Sequence, residues 1–287
     1  MRLSEPFGKI KLKSEEPFMG TPKIFATVAA IVLGSFSNAA YSEIREVQTM
    51  VAALAEVDAD TLLLFDLDNT IMRTPQYLGS DHFFDELVSK ALTAGGAMEQ
   101  AVKDARNIWV AIQRKTATIA VEDTTPNLIK QLQDRGFLPL GFTARPLDIE
   151  EATRKQLLAI GVDFATRPFR QSEPLIVTSG DDNGRYSGGI LYGGFKNSKG
   201  PLLVDFLKQL DLHPRKVVFV DDKLKNVKSV DEALTTRGFN VICYRYGAAD
   251  AWVKSYQPKV VEYELNHFNR TGEIISDIDA TRLIGTR

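Results

Sequence analysis

The sequence holds a single cysteine, Cys243, so no disulfide can form within the chain. Cys243 sits in the apolar run Asn240-Val-Ile-Cys-Tyr, which reads as a buried core thiol rather than a reactive one. Only three histidines occur, His82, His213 and His267, and their scatter offers no zinc cluster. A basic excess is also missing: 35 lysines and arginines stand against 37 acidic residues, for a net charge of −2. General affinity for nucleic acid or an anionic membrane surface needs the opposite balance, so no nucleic-acid partner is expected. No apolar run reaches the bilayer span of about 20 residues. The nearest, Ile24 to Phe36, is shorter; Lys23 precedes it and Ser-Asn-Ala-Ala-Tyr-Ser follows it. That pattern is a signal-peptide core with small-residue cleavage sites after Ala39 or Ser42. Residues 1–42 are therefore read as a targeting segment, with Met19 as an alternative start because Met-Gly-Thr-Pro-Lys leads straight into the apolar run. The expected location is secreted or periplasmic, with no stable membrane insertion after cleavage. An uncleaved anchor or a core helix is the other reading of the same run.

What is present is ample material for a core: 44% of the 287 residues are hydrophobic. Ile44, Val47, Val51, Leu54 and Val57 recur at helical spacing and predict an amphipathic helix over Glu43–Val57. Continuous apolar runs predict strands buried on both faces at Thr61–Asp68, Phe137–Thr143, Lys216–Asp222 and Asn240–Tyr246. Helical segments alternate with them at Thr124–Arg135, Asp148–Ile160, Pro201–Leu210 and Val227–Arg237. The alternation predicts an α/β fold: a Rossmann-like parallel sheet with helices on both faces. The expected core is 43–70 with 122–262. Residues 71–121 form an insert with helices near His82–Thr93 and Glu99–Thr116, and 263–287 form a polar extension without an assigned role. Between Arg167 and Phe195, Asp181-Asp-Asn-Gly separates two β-like runs and signals a hairpin.

Asp66 and Asp68 close the first buried run, followed by Asn69-Thr70. In open α/β sheets that carboxyl edge is where ligands bind. Burying two carboxylates is costly, so a divalent cation or a raised pKa should accompany them; otherwise they cap the next turn. Further polar groups fall where a parallel sheet would gather them along the same edge: Thr143 with Ala144-Arg145, Lys199-Gly200 before a helix, and Asp221-Asp222 with Asn226 four residues beyond. Taken singly, Thr143 could be a helix cap, Lys199 a surface lysine and Asp221-Asp222 a turn.

Their order resembles the haloacid dehalogenase superfamily of phosphohydrolases over Thr61 to Gly247. The motifs are Phe65-Asp-Leu-Asp-Asn-Thr, Phe142-Thr-Ala-Arg, Lys199-Gly200 and Phe219-Val-Asp-Asp with Asn226. Leu78-Gly-Ser-Asp-His-Phe-Phe is similar to a secreted bacterial branch. The resemblance implies that 71–121 is a helical cap, that Asp66 is the nucleophile, and that Asp68 is the acid/base. It implies a Mg²⁺ held by Asp66, Asp68 through its backbone carbonyl, and Asp221 or Asp222. Asn226 stands where the family's third metal-site aspartate is usual. Thr143, the amides near Ala144, and Asn69 would hold phosphate oxygens, and Lys199 would neutralise charge. The substrate would be a small-molecule phosphoester or a phosphoprotein; an inactive binding protein of the same fold and a secreted effector phosphatase are the alternatives. Tyr77, Phe83, Phe84 and Trp109 read first as the insert's own small core and second as a substrate pocket.

Overall fold

The computed structural model describes residues 41–170, 174–180, 183–195 and 197–286. The targeting-segment reading, apart from Tyr41 and Ser42, and the Asp181-Asp182 half of the hairpin turn lie outside them. Strands are β1 (Ser42–Val47), β2 (Thr61–Phe65), β3 (Met72–Arg73), β4 (Ile119–Ala120), β5 (Leu140–Thr143), β6 (Leu175–Val177), β7 (Gly184–Ser187), β8 (Ile190–Tyr192), β9 (Lys216–Asp221) and β10 (Val241–Tyr246). Helices are α1 (Met50–Ala53), α2 (Asp81–Thr93), α3 (Met98–Gln113), α4 (Thr125–Asp134), α5 (Glu150–Ala159), α6 (Lys199–Gln209), α7 (Leu224–Thr235), α8 (Asp250–Lys254), α9 (Pro258–Thr271) and α10 (Asp277–Gly285).

Eight strands form one sheet in the order β1-β10-β9-β2-β5-β8-β7-β6. From β1 through β8 every neighbouring pair is parallel, and β7 and β6 add an antiparallel hairpin at one edge. Side chains alternate across the sheet as a pleat requires. Leu63, Phe65, Val218, Val220, Ile242 and Tyr244 face one cluster with Ile129 and Leu132 of α4 and Leu157 of α5. Leu62, Leu64, Val217, Phe219, Val241 and Cys243 face the other, with α6 and α7. Helices therefore cover both faces, and the α/β expectation is borne out. Burial of Cys243 pushes its thiol pKa up, which leaves it as core.

The helix predicted over Glu43–Val57 is not formed. Ser42–Val47 is an edge strand paired with β10 in register from Ser42↔Val241 to Val47↔Tyr246. Ile44 and Val47 fit a helix face by spacing, but exposure in this segment alternates with every residue. Only Met50–Ala53 turns helical, with Thr49 as its N-cap. Parallel pairing to an open β10 edge outweighed a short periodic match.

The insert begins and ends on a two-stranded ladder, Met72↔Ala120 and Arg73↔Ile119. It carries α2 and α3 packed as a helical pair. Ser80 caps α2 through its hydroxyl, which accepts from the Phe83 amide at 3.2 Å. The division expected at 262/263 falls inside α9, which runs unbroken from Pro258 to Thr271. This helix and α10 share a third apolar cluster with the insert: Tyr77, Leu78, Phe83, Trp109, Val110 and Ile112 pack with Val260, Val261 and Ala280. A two-helix insert is too small to bury its own apolar face, and the chain's carboxyl end supplies the missing wall.

Candidate active site

Asp66 follows β2 directly, and its amide donates to the Val220 carbonyl of β9 at 2.9 Å. Since Phe65 is level with Val220, Asp66 comes level with Asp221 on the neighbouring strand. Two carboxylates from separate strands thus meet at the centre of the carboxyl edge. Lys199 reaches between them from the first turn of α6. Its Nζ donates to Asp66 Oδ1 at 2.5 Å, Asp221 Oδ2 at 2.7 Å and the Phe142 carbonyl at 2.7 Å. Gly200 makes this reach possible. A Cβ there would stand 2.0 Å from the Ser229 carbonyl oxygen of α7, so only glycine lets α6 lie this close.

Asp222 completes the acidic set. One oxygen each of Asp66, Asp221 and Asp222 lies within 4.8 Å of the others. Asp221 is firmly oriented: Lys199, the Lys223 amide and Asn226 Nδ2 all donate to it. Asn226, expected at the metal site, donates through Nδ2 to both oxygens of Asp221 and so orients it. Asp222 accepts from Asn69 Nδ2 at 3.3 Å through Oδ2, while its buried Oδ1 has no protein partner. Asn69 itself holds a left-handed backbone, φ 60°, costly for a non-glycine residue and concentrated at functional sites.

The electrostatics of this cluster ask for a cation. Burial, with the neighbouring Asp221 carboxylate, pushes Asp66 up to about 8 against the pull of Lys199. Burial and the adjacent Asp221 and Asp66 raise Asp222 well above the usual carboxylate range. Burial works against the charge on Lys199, but Asp221 and Asp66 outweigh it and raise its pKa. One lysine cannot balance three carboxylates. Oxygen-only donors, a buried unpartnered carboxylate oxygen and excess negative charge fit a hard divalent ion. The acidic trio is thus a site that could bind a metal ion. The side chain of Asp68 is not one of this trio, although its charge lies near enough to raise Asp66 further.

Asp68 faces Arg145 instead. Arg145 Nε donates to Oδ2 and an Arg145 Nη to Oδ1, both at 2.7 Å, as a two-pronged fork. Arg145 is buried. Its remaining donors reach Thr153 and Gln156 of α5 and Gln113 of α3, and its guanidinium lies 5.4 Å over Trp109. The sequence motifs single out Thr143 and Ala144 but assign Arg145 nothing. An arginine two residues after a strand-terminal hydroxyl, opposite an Asp-x-Asp, was the signal available. Thr143 is buried at the end of β5, with Oγ1 accepting from the Arg145 amide at 3.0 Å; Ala144 is exposed beside it.

The insert closes over this edge. Asp81 at the start of α2 pairs with Lys223 beside Asp222 at 2.6 Å. Tyr77, Phe83 and Trp109 are buried as core, while Phe84 stacks on Phe195 of the loop after β8 with centroids 4.6 Å apart. Next to that stack a cavity of about 310 Å³ opens between α3 and the loops after β5 and β8, lined by Val102, Lys103, Arg106, Pro146, Phe195 and Asn197 among others.

A family model described as "Protein of unknown function (DUF2608)" matches residues 41–281. The chain belongs to that family. A Chlamydia trachomatis serovar D protein provisionally named as an outer membrane protein is 23% identical over 237 residues, 82% of this chain and 88% of that one. A Chlamydia pneumoniae protein of the same provisional name is 22% identical over 232 residues, 81% and 86%. An uncharacterized protein of Rickettsia prowazekii is 24% identical over 249 residues, 82% and 87%. Among solved structures, the class C acid phosphatase of Bacillus anthracis matches at TM-score 0.34 and 16% identity, over 76% of this chain and 83% of that one. A Thermotoga maritima protein provisionally assigned as a beta-phosphoglucomutase matches at 0.36 and 11%, over 68% and 100%. No described helix is long and apolar enough to cross a membrane.

Proposed function

We propose that this chain is a divalent-cation-dependent phosphomonoester hydrolase that works through an aspartyl-phosphate on Asp66. The observation that carries the reading is Lys199 Nζ held between Asp66 and Asp221, with Asp222 beside them, at the carboxyl edge of β2 and β9. Phosphoryl transfer asks mainly for positioning and charge neutralisation, and a lysine with three convergent carboxylates provides both. Asp66, Asp221 and Asp222, with the Asp68 backbone carbonyl, would hold Mg²⁺. When bound, that ion supplies charge neutralisation for the phosphate oxygens and the nucleophile.

The residues then divide the work. An Asp66 oxygen attacks phosphorus as the bond to the leaving oxygen breaks. Asp68 gives that oxygen its proton, then takes one from the water that hydrolyses the aspartyl-phosphate. Lys199 fixes the nucleophile and offsets developing charge. Thr143 accepts from the Arg145 amide, which leaves its hydroxyl hydrogen for a phosphate oxygen. Asn69 orients Asp222.

The test is release of phosphate from 4-nitrophenyl phosphate with and without Mg²⁺. Asp66→Asn should lower turnover on the order of 10³-fold, as loss of a nucleophile does. Wild-type turnover no greater than the mutant's across a broad phosphoester panel would sink the reading. Export is part of the same proposal, supported by the provisional names of the chlamydial relatives and by the pattern of residues 1–42. Mass spectrometry of the exported protein should find Ala40 or Glu43 at the amino terminus; retention of Met1 or Met19 would overturn cleavage.

A further inference from the structure

Arg145 is the most heavily engaged polar side chain beside the candidate site. Its fork takes both oxygens of Asp68 at 2.7 Å. A carboxylate has about four lone-pair sites, so this pairing leaves others for a reacting group. Asp68 keeps 18% of its side chain exposed, while Arg145 keeps 1%. The arginine is thus a buried anchor and the aspartate its accessible end. The anchor is fixed from two sides. Thr153 Oγ1 at 3.2 Å and Gln156 Oε1 at 2.6 Å hold it from α5 on the core. Gln113 Oε1 at 3.2 Å and the Trp109 ring hold it from α3 on the insert. Gln156 Nε2 also donates to Gln113 Oε1 and to the Gln113 and Thr116 carbonyls, so the two supports are joined to each other. A buried arginine without its carboxylate would be expensive, and so would the reverse.

We infer that Arg145 is the positioning residue for Asp68, and that through Trp109 and Gln113 it makes the placement of the acid/base depend on the seating of the insert. The inference rests on the phosphohydrolase reading. Arg145 touches no reacting atom; it acts through Asp68. Its contribution falls on the step in which the Asp68 proton passes to the leaving oxygen as the phosphorus–oxygen bond breaks and the bond to Asp66 forms. That step matters little for an ester whose leaving group departs as a stable anion, and greatly for an alkyl ester.

The experiment compares 2,4-dinitrophenyl phosphate with a simple alkyl phosphate, using the full chain with Mg²⁺. Arg145→Lys keeps the charge and loses the fork. It should lower the single-turnover rate of alcohol release from the alkyl ester about 100-fold, the scale of general-acid catalysis, and of dinitrophenolate release less than about 3-fold, with KM held within about 3-fold for both; the later hydrolysis of the aspartyl-phosphate, where Asp68 is the base, slows alike for both. In an Asp68→Asn background the same substitution should change the alkyl-ester rate less than about 2-fold, because residues acting as one unit are not additive. Gln156→Met leaves Arg145 in place and removes one support; it should show the same leaving-group pattern, about 5–10-fold in size. It carries the test if Arg145→Lys melts early. Equal losses on both esters in the single-turnover release step, a loss confined to KM, or full additivity with Asp68→Asn would overturn the role of Arg145 while leaving the hydrolase reading intact. A wild-type protein inert on both esters would instead overturn the hydrolase reading itself.

Discussion

The sheet and the insert bury apolar surface in different ways. The sheet core is built from strands buried on both faces, with Phe219, Val218 and Leu64 fully enclosed and helices α4 to α7 close to them in sequence. The insert's core is assembled from chain segments far apart: Tyr77 to Phe83, Trp109 to Ile112, Ile149, and α9 and α10 at the end of the chain. The first supports itself; the second is a shared wall. Cooperativity should follow that division, with the sheet opening only in global unfolding and the insert together with α9 and α10 opening at lower cost.

A pair of truncations tests the division. Phe219→Ala should cost about 3–5 kcal/mol and speed amide exchange throughout the sheet. Val261→Ala should cost about 1–2 kcal/mol, and the faster exchange should stay within α2, α3, α9 and α10. Faster exchange in β9 and β2 on Val261→Ala would break the comparison, because it would make the two cores one cooperative unit. A smaller effect sharpens it. Glu264 of α9 is buried against the insert, accepting from the Leu78 amide at 3.1 Å, while Asp277 accepts from the Tyr77 amide at 2.8 Å. Burial, with the adjacent Asp277 carboxyl, pushes Glu264 from 4.5 up to about 9. The folded state therefore binds this proton more tightly than the unfolded chain, so its stabilising effect is full below 4.5 and is lost as pH rises through about 9. Glu264→Gln, which keeps an acceptor for Leu78 and cannot ionise, should flatten the fall in Tm between about pH 5 and pH 9. An unchanged slope would remove this contact from the account of the shared wall.

The same division explains what could be read from sequence. Lys216-Val-Val-Phe-Val-Asp-Asp declares itself because a strand covered on both faces needs an unbroken apolar run, and β9 occupies Lys216–Asp221. The acidic residues of the site were legible for the same reason, since each ends or follows such a run. Strand β8 went unread: Ile190-Leu-Tyr is only three residues long, and what seats it is a Gly188-Gly189 turn, with φ of 54° and 79°, joining it to β7. Strand β1 was misread because a half-exposed edge gives a weak period that a helix also satisfies. Arg145 escaped because its meaning lies in partners 32 and 77 residues away, Gln113 and Asp68, which only the closed fold brings to it. The extension after Tyr263 had no legible role because its apolar residues match a surface built almost two hundred residues earlier.

That long return sets an order of events during synthesis. The insert leaves the ribosome with Tyr77, Phe83 and Trp109 made, and the helix that covers them follows roughly 150 residues later, on the order of ten seconds at ordinary translation rates. For that interval the growing chain carries a sticky, uncovered face. A message truncated before Pro258 would make the interval permanent, so shortened chains should be sought among aggregates and chaperone clients rather than among soluble products.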